Sequence, residues 1–81
     1  MMELTMKMME KIDLHGVRHE EASRMLENFL YEHIKKGTTE IEVITGNSTE
    51  MKGIVKGVLK DYDMTCEEKW GNFGSLIVNM K

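Results

Sequence analysis

Hydrophobic and polar positions alternate in "KIDLH". Ile12 and Leu14 fall on one face of an extended segment, and Asp13 and His15 fall on the other. The pattern predicts a short strand over "MEKIDLH", closed by a turn at Gly16. From about His19 to Lys36 the period changes. Ala22, Met25, Leu26, Phe29, Leu30 and Ile34 recur at three and four, the spacing of an amphipathic helix, and Gly37 stands where such a helix ends. Arg18 is a weak cap, but Glu20 and Glu21 suit the positive first turn, and Lys35 and Lys36 suit the negative last one.

"TEIEVIT" is rich in β-branched residues and reads as a second strand. After "GNSTE" a second helix covers about Glu50 to Asp61, with the stripe Met51, Ile54, Val55, Val58, Leu59 and Tyr62. Asn47, Ser48 or Thr49 can cap it. Gly53 and Gly57 lie inside this helix, either to let it approach the sheet closely or as tolerated surface positions. The remainder, "MTCEEKW", "GNFG" and "SLIVNMK", reads as two strands joined by a glycine-containing turn. The order β-α-β-α-β-β predicts an α/β two-layer sandwich: a four-stranded mixed sheet, its first two strands parallel, with both helices on one face.

Composition narrows the function classes. The chain has 81 residues, enough for a single core but not for two. Residues 1–10, "MMELTMKMME", form an N-terminal extension, and 11–81 form the domain. Charged residues interrupt the methionine-rich start, which therefore lacks the apolar middle of a secretion signal; a cytoplasmic location is expected. No window reaches the roughly 18 apolar residues that a bilayer span requires, so no membrane partner is expected. Cys66 is the lone cysteine, which excludes an internal disulfide and a cysteine-based zinc site, and it is expected to be a small buried hydrophobe. A net charge of −3 argues against a general polyanion binder, so any phosphate site must be a local patch.

Parallel first and second strands would bring the loops "DLHGVR" and "TGNST" to the same sheet edge, where open α/β sheets bind ligands. The second loop also opens a helix, whose free N–H groups favour an anion. Asp13 and His15 would then stand beside a phosphate position. An Asp–His pair there can supply a general acid or base, with Asp13 orienting the imidazole or binding a water-activating Mg²⁺. His15 and His19 straddle a glycine turn instead of sharing a helical face, so no zinc site is expected. Arg18 and Lys52 lie near enough to help hold a strand, with Lys56 one turn further on; Lys60 reads as a solvated position. Trp70 and Phe73 flank the hairpin turn. In a chain this poor in aromatics they are expected in the core, and if exposed they would stack on unpaired bases.

"IDLHG" followed by "EEA", then "FL", Gly37, "VITG" and "GNFGSLIV" resembles the Smr (small MutS-related) domain over about residues 11 to 80. That family carries "LDLHG", an "HGxG" or "TGxG" motif and a "GxGAT" segment before the last strand. The resemblance implies a fold like the C-terminal domain of translation initiation factor three. It also implies binding of RNA or DNA and, in several members, endonuclease activity. Asp13 and His15 would support cleavage, and Gly16, Arg18, Thr45, Gly46, Asn47, Ser48, Lys52 and Lys56 would contact nucleic acid. Ser48 departs from the pattern, standing where "TGxG" has its second glycine. The alternatives are a binding module without catalysis and a protein-interaction domain pairing along the edge of its last strand. A protein partner supplying specificity is expected for so small a domain.

Overall fold

Both helical stripes and all four extended segments form the elements their periods predict. The computed structural model describes residues 9–69 and 71–80. Its elements are β1 (Glu10–Asp13), α1 (His19–Lys36), β2 (Glu40–Ile44), α2 (Thr49–Asp61), β3 (Thr65–Lys69) and β4 (Asn72–Asn79). Trp70 and most of the expected N-terminal extension lie outside the described residues.

The sheet order is β1-β2-β4-β3. β1 runs parallel to β2, whereas β4 is antiparallel to both of its neighbours. β4 therefore has no free edge, which overturns the expectation of a partner pairing along the last strand. The edges are β1 and β3, and β3 carries the charged sequence "TCEEK", a composition that discourages pairing with another sheet. β4 also begins at Asn72, so most of the expected "GNFG" turn is strand, with a register shift at Glu68/Lys69 on the facing strand.

The sheet buries one face against the helices. Ile41 and Val43 of β2 sit opposite Val78 and Leu76 of β4, and all four join the core with Leu26 and Leu30 of α1 and Met51 and Val55 of α2. The buried arc is narrower than the apolar stripes: Met25, Ile34 and Tyr62 lie at its margins and are exposed. His33 is buried instead; its Nδ1 lies 2.9 Å from Thr38 Oγ1, so the polar atom is satisfied where α1 ends. Gly37 takes the left-handed conformation there, and its N–H donates to the carbonyls of His33 and Ile34. Arg18 is the N-cap of α1 and offers no side-chain hydrogen bond. Cys66 is half-buried against the core, and that burial, only partly offset by the Lys56 charge, pushes its thiol pKa up.

Gly53 and Gly57 do not serve close packing. Both are exposed, and a Cβ on either would meet nothing within 4 Å. Gly53→Ala and Gly57→Ala are therefore expected to stabilise the domain by about 0.5–1 kcal/mol each, seen as a higher urea midpoint.

Candidate functional site

The parallel register of β1 and β2 brings the two motif loops together. Asp13 stands opposite Ile44, and Leu14 N–H donates to the Ile44 carbonyl at 2.8 Å. Leu14 points into the core and is fully buried. Strand alternation therefore sends Lys11, Asp13 and His15 to the opposite, helix-free face. The chain then reverses at Gly16, whose φ of +82° suits glycine, and Val17 N–H closes the turn on the Leu14 carbonyl. Asp13 Oδ1 accepts from His15 N–H at 2.9 Å. The carboxylate thus braces the turn backbone that presents His15, and its effect on the imidazole runs through that backbone.

The second loop is held from β4. Thr45 N–H and Gly46 N–H both donate to the Gly74 carbonyl, at 2.8 and 3.0 Å. Thr45 is buried, with its hydroxyl donating to the Gly46 and Gly74 carbonyls. It therefore shapes the loop from within. Ser48 has an ordinary extended conformation and is the N-cap of α2, its hydroxyl accepting from Met51 N–H at 3.0 Å. The serine that replaces the motif glycine serves helix capping.

Three chain segments stack at this point. A Cβ on Gly74 would lie 3.4 Å from Gly46 Cα, and a Cβ on Gly46 would lie 2.8 Å from His15 Cδ2. Gly46 also has a φ of +69°. Only glycine meets both demands, so the "TG" pair is explained by the place it leaves for the His15 ring. Gly46→Ala is expected to cost about 1–2 kcal/mol through the left-handed backbone and to displace His15. Gly46→Asn carries the same Cβ on a residue that tolerates this backbone, so it should displace His15 at lower cost. Histidine ring chemical shifts and urea unfolding of the two variants separate the effects.

His15, Gly46 and Asn47 open onto a groove of about 600 Å³ on the helix-free face, together with Lys11, Lys69 and the β3–β4 hairpin. Its floor is Glu42, whose side chain is 7% exposed and whose carboxylate receives Lys69 Nζ at 3.3 Å from across β4. The strand alternation that selects Asp13 and His15 also selects Lys11. Lys69 and Asn72 carry no such signal, because their placement depends on the irregular register beside the hairpin turn.

Other expected contacts lie elsewhere. Lys52 pairs with Glu68 at 3.5 Å, its side chain 17% exposed, and Lys56 lines a shallow depression with Cys66 between α2 and β3. Arg18 is exposed and within 3.9 Å of Glu20. His19 reaches Glu50 at 3.6 Å, linking the starts of the two helices. Phe73 departs from the core expectation: it is 67% exposed at the rim of the groove.

Mg²⁺ is usually held by one or two carboxylates with waters and ligand phosphates. Asp13 already commits one oxygen to the backbone, and among the described residues no group of three or more His, Cys, Asp or Glu could hold a metal ion. That donor set holds no Mg²⁺ by itself: the second Asp13 oxygen is the group that could share an ion with ligand phosphates and waters.

The model of the Smr domain family matches residues 12–81. The chain belongs to the Smr domain family. This Smr domain also matches the crystal structure of the Smr domain of Thermus thermophilus MutS2, with a TM-score of 0.75 at 18% identity, over 89% of this chain and 98% of that one. At that identity the likeness establishes the fold: a four-stranded mixed sheet and two helices. No curated protein sequence matches the chain significantly. Among the described residues no helix of this Smr domain is long and apolar enough to cross a membrane.

Proposed function

We propose that this Smr domain binds nucleic acid in the helix-free groove and cleaves RNA there. The observation that carries this reading is the packing of His15 against Gly46, which makes one surface of the "DLHG" and "TG" loops. Among the residues lining the groove, Lys11 and Lys69 set two cations against the single carboxylate of Glu42. That local excess supports phosphate binding by a chain whose overall charge is −3.

The chemistry that fits these groups is attack through the ribose hydroxyl. An exposed His15 imidazole accepts the proton of the 2′-hydroxyl, and the 2′-oxygen attacks the adjacent phosphorus. The bond from phosphorus to the 5′-oxygen breaks, and the departing oxygen takes a proton from water. The products are a 2′,3′-cyclic phosphate and a 5′-hydroxyl. Lys11 and Lys69 can offset the charge that develops on the phosphate oxygens. Asp13 acts as a positioning residue that holds the turn.

Labelled RNA incubated with EDTA tests the reading. Cleavage that leaves cyclic phosphate ends is expected. A 5′-phosphate product, or cleavage that depends on added metal, would overturn the metal-free route. One observation favours a binding module without catalysis: the Asp13 carboxylate bonds to a backbone amide and not to the His15 ring. Salt-sensitive binding with every substrate left intact would establish that alternative.

A further inference from the structure

We propose that Phe73 is a stacking platform that makes the groove selective for an unpaired base, a specificity that rests on the nucleic-acid reading above. Phe73 is 67% exposed and follows Asn72 in β4, at the rim of the groove that His15 lines. It is not a loosely held side chain on a loop tip. Asn72 Oδ1 accepts from Gly74 N–H at 3.0 Å, bracketing Phe73, and Gly74 packs against Gly46. The aromatic ring is thus carried on the same backbone that anchors the His15 side of the groove.

The surroundings are those of a nucleotide and not of an apolar partner. Asn47, Asn72 and Ser75 are polar, and Lys11 and Lys69 supply cations. With Asn72 Oδ1 engaged by Gly74, the Nδ2 group of Asn72 is left as a donor suited to a base edge. A volume of about 600 Å³ falls within the range of small-molecule sites, roughly 300–1,000 Å³. A base inside a duplex already stacks on its neighbours and cannot offer its face to a side chain. A base in a loop, bulge or single strand can. Stacking of this kind accepts any base, so the groove would select for unpaired structure and not for sequence.

The test uses 2′-O-methyl RNA, which attack through the ribose hydroxyl cannot cleave, with 2-aminopurine as the stacking reporter. Binding of the single strand is compared with binding of the same strand annealed to its complement. The wild type is expected to prefer the single strand and to quench the reporter. Phe73→Ala should weaken single-strand binding about 5- to 150-fold and abolish the quenching, with duplex binding and the unfolding midpoint unchanged. Phe73→Leu, which keeps apolar bulk without a ring, should behave like alanine, and Phe73→Trp should retain binding. If the wild type binds no nucleic acid, the functional reading fails and this inference fails with it. If the wild type binds but prefers the duplex, or if Phe73→Ala and Phe73→Leu bind single strands as tightly as wild type, the functional reading stands and the inference alone is wrong.

Discussion

His15→Ala is expected to lower the RNA cleavage rate by about 10²- to 10⁴-fold, the usual contribution of a positioned general acid or base. Unfolding should barely change. The His15 side chain is exposed, and its contact with the protein is the van der Waals one against Gly46. Binding of an uncleavable 2′-O-methyl strand should fall by less than tenfold, because phosphate contacts from Lys11 and Lys69 remain. Asp13→Ala gives a different profile. It removes the acceptor for His15 N–H, so the turn loosens and His15 is presented in several orientations. Its cleavage defect should therefore be smaller than that of His15→Ala. Asp13→Asn, whose amide oxygen can still accept from that N–H, should recover part of the loss. Rates measured with fluorescent RNA in EDTA decide the matter. If His15→Ala cleaves as fast as wild type, His15 is not the base.

Leu76→Ala is expected to reduce unfolding free energy by about 2–5 kcal/mol, the usual cost of emptying a fully buried leucine site. An 81-residue domain at typical values has only roughly 4–12 kcal/mol in total. The variant should therefore unfold at a much lower urea concentration, with an unchanged slope if two-state behaviour holds. Leu76 is 0% exposed on the inner strand, opposite Val43 on one side and Glu68 on the other, so little can collapse into the gap. Ile77→Ala, one residue on and facing the helix-free side where the side chain is only partly buried, should cost distinctly less. Similar losses at both positions would mean that the second sheet face is packed as tightly as the first.

The parts of this fold legible in the sequence are those governed by local period. The strand alternation in "KIDLH" placed Leu14 in the core and Asp13 and His15 on the other face, and the three-four spacing marked both helices to within a residue. Gly37 ended α1 as expected because a left-handed cap is a local demand. Features set by distant partners were not legible. The start of β4 and the exposure of Phe73 depend on how the hairpin registers against β2 and β3, and no short window of sequence carries that information. The spacing of Lys52 and Lys56 correctly put them on α2, but not toward the groove, since the rotation of that helix is fixed by what Met51 and Val55 bury. The "TG" motif was visible as letters. Its physical content, a glycine making room for an imidazole, emerged only once β1 and β2 were side by side.

The inner position of β4 has a consequence for biosynthesis. β4 follows every other strand in the chain, yet it joins β2 to β3, and its Gly74 carbonyl receives the two amides that shape the Thr45–Gly46 loop. A nascent polypeptide that has emerged from the ribosome only as far as residue 69 holds both helices and three strands, and β1 can pair with β2, but it lacks the strand that joins β2 to β3 and the carbonyl that fixes the loop beneath His15. The groove cannot exist in such an intermediate. Completion of the sheet and assembly of the groove thus coincide, so a partly made chain emerging beside ribosomal RNA and messenger RNA would present no assembled groove to either.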